Sequence, residues 1–234
     1  MTANLLKSET PEMFSRIAQR YDLLNHLLSL NIDRLWRRRL VERTGLPRGG
    51  RVLDACAGTG DVAFAFARYA DPSEVIGVDL SRGMLEIAKD KALRKKLDGL
   101  VRFVEGDVLA LPFEDGRFDA VSIAFGLRNL PDYAAGIAEM TRVLVPGGAV
   151  VVLEFAPPSR DLWRRGYAFY LGRVIPAIGD AVSGSSEAYA YLASSVGEFL
   201  TRERVVALME AAGLKNVSAK RMTGGIVYLY TGEK

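Results

Sequence analysis

From Arg51 onward, short runs of β-branched residues alternate with longer helix-periodic stretches, and this alternation constrains the fold more than any other feature. Parallel strands need a crossover long enough to carry the chain back, so the pattern points to a mostly parallel sheet flanked by helices. It predicts strands at Arg51–Ala55, Glu74–Asp79, Val101–Glu105, Phe118–Ala124 and Ala149–Phe155. Helices are expected at Asp61–Tyr69, Arg82–Leu97, Tyr133–Leu144 and Thr201–Ala212. Two final runs, Lys215–Lys220 and Ile226–Thr231, flank Met222-Thr223-Gly224-Gly225 and read as an antiparallel hairpin on the sheet edge. The expected class is therefore α/β and Rossmann-like: seven strands, mostly parallel, closed by a C-terminal antiparallel hairpin.

Two pieces fall outside the core expected at 46–155 and 201–234. Residues 1–45 read as an N-terminal helical cap that carries Trp36-Arg37-Arg38-Arg39. Residues 156–200 read as a helical lid bearing Trp163, Tyr167, Phe169, Tyr170, Tyr189 and Tyr191. An aromatic insertion at the carboxyl ends of parallel strands is where a substrate lid belongs, although extra core helices would use the same residues.

Composition removes several classes. With 31 Lys and Arg against 28 Asp and Glu, the net charge of +3 is too slight to argue nucleic-acid binding alone. The single Cys56 and single His26 exclude an internal disulfide, a cysteine-based zinc site and a histidine-rich metal site, so no metal is expected. Met1–Phe14 carries Lys7, Glu9 and Glu12 and no signal-like apolar core, and no apolar run approaches the ~18 residues of a membrane span. The expectation is a soluble cytoplasmic protein, with Trp36 and Arg37–Arg39, and Trp163 and Arg164–Arg165, as a peripheral contact on the inner membrane face.

The strongest local signal is Asp54-Ala55-Cys56-Ala57-Gly58-Thr59-Gly60, a glycine turn between a strand and a helix. Glycines there let the backbone turn tightly and approach a ligand. The third glycine of the dinucleotide pattern is missing, and Asp54 and Asp61 flank the turn. Two carboxylates would repel a pyrophosphate but suit the sulfonium and ammonium groups of S-adenosylmethionine; a turn-capping role for Asp54 is the plainer alternative. Asp79, at the end of the second strand, can accept two bonds from a ribose diol, or else cap the next helix, a place Ser81 already fills. Met84 can pack on an adenine face or in the core. Asp107, after the third strand, can accept from the adenine amino group, with the backbone of Val108 pairing to a ring nitrogen.

Taken with Leu111-Pro112-Phe113, Phe125-Gly126-Leu127-Arg128-Asn129, Arg142–Gly148, Leu153-Glu154-Phe155, Tyr189–Ser195 and Gly224–Val227, these motifs resemble the ubiquinone/menaquinone biosynthesis C-methyltransferase family. Tyr21–Asn25 and Trp36 match its N-terminal helices, so the likeness runs from about residue 12 to 230. The glycine turn and Pro-Gly-Gly are generic; Phe-Gly-Leu-Arg-Asn and Tyr-x-Tyr-Leu are far more specific. The resemblance implies the class I S-adenosylmethionine-dependent methyltransferase fold and cofactor contacts at Thr59, Asp79, Asp107 and Val108, beside Asp54, Gly58, Gly60 and Met84, which the residues themselves suggest. It implies methylation of a ring carbon of a prenylated quinol, demethylmenaquinol to menaquinol, with substrate contacts at Tyr21, Asn25, Tyr189 and Tyr191. The family's bifunctional ubiquinone enzymes are somewhat longer at the N-terminus, which tilts the chain toward menaquinone over the benzoquinol of ubiquinone synthesis. Ala124 departs from relatives that carry a cofactor-touching serine there.

Carbon methylation ortho to a hydroxyl needs that hydroxyl ionised, which costs ~4 kcal/mol at neutral pH for a group of pKa ~10. Arg128 and Asn129, just past the fourth strand, are the expected catalytic pair that offsets this cost. His26, Asp132, Glu154, Tyr21, Tyr189 and Tyr191 are the candidate bases, and the sequence does not choose among them. Asp132, four residues on, is the structural partner Arg128 would otherwise take. A nucleic-acid methyltransferase would use Arg34 and Arg37–Arg39 on phosphates, yet Cys56 lies inside the glycine turn and no Asp/Asn-Pro-Pro-aromatic motif follows the fourth strand. A non-catalytic cofactor-binding module is the other rival, and whether the chain self-associates stays open.

Overall fold

A computed structural model describes residues 11–13, 15, 18, 22, 25, 26, 29–156, 191 and 194–234. Its elements run α1 (Asp33–Arg43), β1 (Arg51–Ala55), α2 (Asp61–Tyr69), β2 (Glu74–Asp79), α3 (Arg82–Lys95), β3 (Val101–Glu105), β4 (Phe118–Ala124), α4 (Tyr133–Arg142) and β5 (Leu144–Phe155). The chain closes with α5 (Arg202–Ala211), β6 (Lys215–Met222) and β7 (Val227–Glu233). The seven strands form one sheet in the order β3-β2-β1-β4-β5-β7-β6. The first five are parallel, and β7 pairs antiparallel with both β5 and β6, as the sequence pattern predicts.

Strand side chains alternate between faces, so neighbours in sequence feed two separate cores. Leu53, Ile76, Val121 and Val152 pack on one side with Ile137 and Met140 of α4 and Val205 and Met209 of α5. Val52, Val75, Phe103 and Val151 pack on the other with Trp36 and Leu40 of α1, Phe66 of α2 and Leu85 of α3. This double burial is why the central strands read as near-continuous apolar runs. The edge strand β6 instead carries Lys215, Lys220 and Arg221 on exposed positions, which discourages pairing with another chain.

The hairpin strands each run two residues further than expected, to Met222 and Glu233, and three boundaries move for a reason the backbone shows. The helix expected to reach Leu97 stops at Lys95, because Lys96 turns left-handed at φ 57° and the Leu97 amide closes on the Ala92 carbonyl. The helix expected to reach Leu144 stops at Arg142, since Leu144 already pairs with Phe118 and opens β5. Strand β5 therefore starts before Pro146-Gly147-Gly148, where the register with β4 shifts. The Gly147 amide donates to the Lys234 carbonyl at 2.8 Å and the Lys234 amide to the Gly148 carbonyl at 2.9 Å, pinning this irregular stretch to the chain end.

Candidate active site

Strand order reverses between β1 and β4: the chain leaves β1 toward β2 on one side and β4 toward β5 on the other. That reversal opens a crevice at the carboxyl ends of the strands. The turn leaving β1 takes left-handed φ at Cys56 (53°), Gly58 (53°) and Gly60 (87°). A Cβ on Gly60 would stand 2.5 Å from the Phe103 ring, so only glycine fits there. A Cβ on Gly58 would meet nothing within 4 Å, so this backbone borders open space that a ligand can enter. Across the reversal, a Cβ on Gly126 would lie 2.4 Å from Cys56 Cβ, so the exit of β4 packs directly on the turn.

Carboxylates ring this turn. Asp54 is 1% exposed; its Oδ1 accepts from the Ser122 hydroxyl at 2.9 Å, and its Oδ2 has no hydrogen bond. Burial pushes its carboxyl up to about 7, against the Ser122 bond. Asp79 accepts from the Gly58 and Ser81 amides, both at 2.8 Å, and burial pushes it up as well. Asp107 accepts from the Leu109 amide at 2.9 Å. An orphaned buried oxygen, open space at Gly58 and the carboxylates of Asp54, Asp79 and Asp107 fit a cation-bearing nucleoside such as S-adenosylmethionine better than a phosphate.

The N-terminal segment is tied to this turn by charge. Asp22 accepts from the Thr59 hydroxyl, and Lys91 bridges Asp22 and Asp61 at 2.7 Å each. Arg37 pairs with Asp33 and lies 3.3 Å from Asp61, while His26 Nδ1 sits 2.7 Å from Asp33. Burial would raise the Asp61 carboxyl, yet Arg37 and Lys91 hold it below its usual range. His26, Asp33 and Asp61 come close enough to hold a metal ion, but the Arg37 guanidinium already neutralises both carboxylates.

On the β4 side, Phe125 (φ 57°) leads through Gly126 into a short 3-10 turn, Leu127–Asn129. Arg128 is 4% exposed there. Its Nη1 donates to Glu154 Oε1 at 2.8 Å and to the Phe125 carbonyl, its Nε to the Ser195 hydroxyl at 3.4 Å, and its amide to Glu154 Oε2 at 3.2 Å. Glu154, fully buried in β5, also accepts from the Phe155 amide at 2.9 Å. Asn129 Oδ1 accepts from the Tyr191 hydroxyl at 3.0 Å, an arrangement that turns the amide nitrogen away from the tyrosine. Trp36 closes the back of this region, its ring 6.1 Å from Phe125 and 6.3 Å from Phe155, its Nε1 donating to Thr223 at 2.8 Å.

The profile of the ubiE/COQ5 methyltransferase family matches residues 3–234. This chain belongs to the ubiE/COQ5 methyltransferase family. The demethylmenaquinone methyltransferase of Thermus thermophilus is 46% identical over 222 residues, which span 95% of this chain and 100% of that protein. The ubiquinone/menaquinone biosynthesis C-methyltransferase of Geobacter sulfurreducens is 46% identical over 224 residues, 95% of this chain and 87% of that one. A putative S-adenosyl-L-methionine-dependent methyltransferase from Methanococcus maripaludis superposes with a TM-score of 0.67 at 20% identity, covering 94% of this chain and 93% of its own. The phosphoethanolamine N-methyltransferase 2 of Haemonchus contortus, in complex with S-adenosyl-L-methionine, gives 0.65 at 18% identity over 85% of this chain and 52% of its own. At such identities these two establish the fold alone, class I methyltransferase.

In this ubiE/COQ5-family chain the residues singled out from sequence gather at one end of the sheet. Asp54, Gly58, Thr59, Gly60, Asp79 and Asp107 border the turn, and the side chains of Asp54, Thr59, Met84 and Val108 are themselves buried, at 1%, 3%, 2% and 3% exposure. Only the Val108 backbone can therefore meet a ring nitrogen. Asn25 is half-buried, and its carbonyl accepts from the Ser29 amide. Tyr21, Tyr189, Trp163, Arg164 and Arg165 lie outside the described residues.

Two expectations are corrected. Trp36 is 5% exposed and Arg37 8%, the first packed in the core and the second held by Asp33 and Asp61, so neither faces a membrane. Asp132 does not pair with Arg128; it caps α4 by accepting from the Ala135 amide at 3.0 Å, and Glu154 takes the arginine. Glu154, committed to three donors, is spent as a base, and burial pushes the Tyr191 hydroxyl up, away from that role. Asp22, Lys91 and the Glu154 partnership were missed; the acid in Tyr21–Asn25 was visible, but nothing local ties it to a threonine 37 residues away.

Proposed function

We propose that this chain transfers a methyl group from S-adenosylmethionine to a ring carbon of a prenylated quinol, converting demethylmenaquinol to menaquinol. The observation that carries the reading is the Arg128–Glu154–Asn129–Tyr191 cluster, built one glycine contact from an acidic turn. The full-length likeness to a demethylmenaquinone methyltransferase supports the acceptor class. In this reading Asp79 accepts from the ribose diol, Asp107 and the Val108 backbone hold the adenine, and the Gly58 turn with Asp54 faces the cationic end. S-adenosylmethionine, when bound, supplies a methyl group on a sulfonium that departs as a neutral thioether.

The residues of the chain prepare the acceptor. Its hydroxyl proton must leave before the ortho carbon can attack, and the ring proton leaves afterwards to restore aromaticity. Arg128 and Asn129 offset part of the ~4 kcal/mol ionisation cost, Arg128 through charge and Asn129 through its amide N–H. Because Glu154 neutralises Arg128 in the ground state, the pair costs less to bury and serves as a fixed dipole rather than a bare cation. Residues 156–200 act as the lid that excludes water, and residues 1–45 as the cap over the cofactor turn. The chain works in the cytoplasm, against the membrane that holds its apolar-tailed acceptor; no helix among the described residues is long and apolar enough to cross that membrane.

The test is direct. Purified chain, S-adenosylmethionine and demethylmenaquinol should yield menaquinol by mass spectrometry, and the chain should restore menaquinone to a bacterium lacking its own methyltransferase. A product only with the benzoquinol acceptor moves the assignment to ubiquinone synthesis; no product with either removes it.

A further inference from the structure

With Trp36 and Arg37 turned inward, the outer surface of α1 has a different composition from the one its sequence suggests. The turn before it exposes Leu30 at 77% and Ile32 at 37%, and the first turn of α1 exposes Leu35 at 50%. Leu30 and Asn31 both take left-handed φ, 52° and 60°, a conformation that carries a steric cost for leucine. Held in that conformation and 77% exposed, Leu30 finds little packing among the described residues. Beside this apolar tip, α1 exposes Arg34, Arg38, Arg39 and Arg43 against a single Glu42. Four arginines against one glutamate is a surplus equal to the formal net charge of the whole chain, +3.

The position of this surface follows from the inner face of the same helix. Trp36 touches Phe125 and Phe155 at the carboxyl ends of β4 and β5, and Arg37 reaches Asp61 at the start of α2. The apolar tip therefore stands at the active-site end of the sheet, one helix thickness from the crevice. We infer that Leu30, Ile32 and Leu35, rimmed by Arg34, Arg38 and Arg39, dock on an anionic lipid bilayer and bring the crevice to its surface. An exposed apolar tip ringed by arginines suits a lipid interface, where leucines enter the acyl boundary and cations meet headgroups. Arg38 and Arg39 share Glu42 at 2.8 and 2.7 Å, so Arg34 supplies the nearest uncompromised charge to the tip. The inference rests on the acceptor having an apolar tail, since such a tail gives the crevice reason to face lipid.

The test uses the full chain and two kinds of vesicle, phosphatidylglycerol-rich and pure phosphatidylcholine. Wild-type chain should sediment with the first, less so as salt rises, and weakly with the second. Leu30→Asn/Leu35→Gln should weaken that binding at least tenfold; asparagine tolerates left-handed φ, so the fold is spared. Arg34→Gln/Arg38→Gln should reduce the salt dependence, since Arg39 and Arg43 remain. None of these residues belongs to the catalytic cluster, so methylation of a short-tailed, water-soluble quinol should be unchanged. Methylation of a long-tailed quinol embedded in vesicles should fall with binding. Wild-type chain left in the supernatant at low salt overturns the proposal. So do leucine variants that bind like wild type, or a leucine-dependent dimer without lipid, which would make the tip a contact between copies. Leucine-dependent vesicle binding without methylation of any quinol would sink the assigned reaction but leave the docking surface standing.

Discussion

Asp79 and Arg128 stand at the ends of neighbouring parts of the same sheet, and each is held by a different kind of partner. Asp79 gives both carboxylate oxygens to peptide N–H groups, Ser81 two residues on and Gly58 in the turn leaving the neighbouring strand β1. Arg128 is held by side chains 26 and 67 residues away, Glu154 in β5 and Ser195 beyond it. A group satisfied by backbone tolerates loss of its side chain, because the peptide donors can turn to water or ligand. A buried charge satisfied by another buried charge does not, since removing one strands the other. The cofactor side is thus robust in fold and sensitive in binding, and the acceptor side is sensitive in both.

The largest expected effect breaks the second half of that comparison. Arg128→Ala should cost ~3–5 kcal/mol of stability by leaving Glu154 buried and unpaired, and should lower turnover about a hundredfold. Because one variant would then lose both, the informative protein is Arg128→Met/Glu154→Leu, which removes both charges and keeps apolar volume. Its melting temperature should recover much of the loss, short of what the Arg128 and Phe155 amides lose with their Glu154 acceptor, while turnover stays low. Recovery of turnover with stability would show that the pair only supports the fold.

On the cofactor side, Asp54 supplies a pH signature. Its carboxyl rises from 3.8 to about 7 through burial, so the folded chain binds this proton more tightly than the unfolded chain does. Stability of the free protein should therefore fall as pH rises from about 4 to about 7, by up to ~4 kcal/mol on ~1.36 kcal/mol per unit. Asp54→Asn carries no such proton, so the variant should match wild type near pH 4 and melt higher near pH 8. A cationic ligand reverses the preference: S-adenosylmethionine affinity in wild type should rise with pH through about 7, and Asp54→Asn should flatten that rise. Thermal melts and calorimetry at both ends of the range check the two halves separately, and parallel profiles for both proteins would exclude Asp54.

How much of this was legible in the sequence tracks the same division. The boundaries of β1 to β4, the glycine turn and Asp79 could be read because their partners lie within a few residues or one strand–helix unit. Glu154 could not be given its role: an acid in a buried strand announces that it needs a partner and does not say which. Trp36 was misread because Trp-Arg-Arg-Arg resembles an interfacial anchor. The i,i+4 pairs Asp33–Arg37 and Trp36–Leu40 carried the contrary signal, a helix side that faces the core. The early start of β5 was hidden by Pro146-Gly147-Gly148, whose pairing depends on the chain terminus 86 residues later rather than on local propensity.

Asp79→Ala sharpens the cofactor half of the comparison. It should weaken S-adenosylmethionine binding more than tenfold, ~1.4 kcal/mol or more, with a smaller change in melting temperature than Arg128→Ala. A folded variant with unchanged affinity by calorimetry would remove Asp79 from the ribose contact.

The smallest effect probes a neutral link in the acceptor cluster. The Tyr191 hydroxyl donates to Asn129 Oδ1, so the asparagine amide is oriented with its nitrogen away from the tyrosine. Tyr191→Phe keeps the ring and its packing and deletes only that donor. A neutral hydrogen bond contributes ~1 kcal/mol net, so kcat/KM for the quinol should fall about fivefold. Cofactor affinity should hold, because Tyr191 belongs to the lid side, and so should the melting temperature, because no charge is stranded. Asn129→Ala should erase the difference between tyrosine and phenylalanine at 191 if the hydroxyl acts through the amide. A fivefold loss that persists without Asn129 would mean that Tyr191 meets the acceptor itself, and the positioning account would give way to a direct contact.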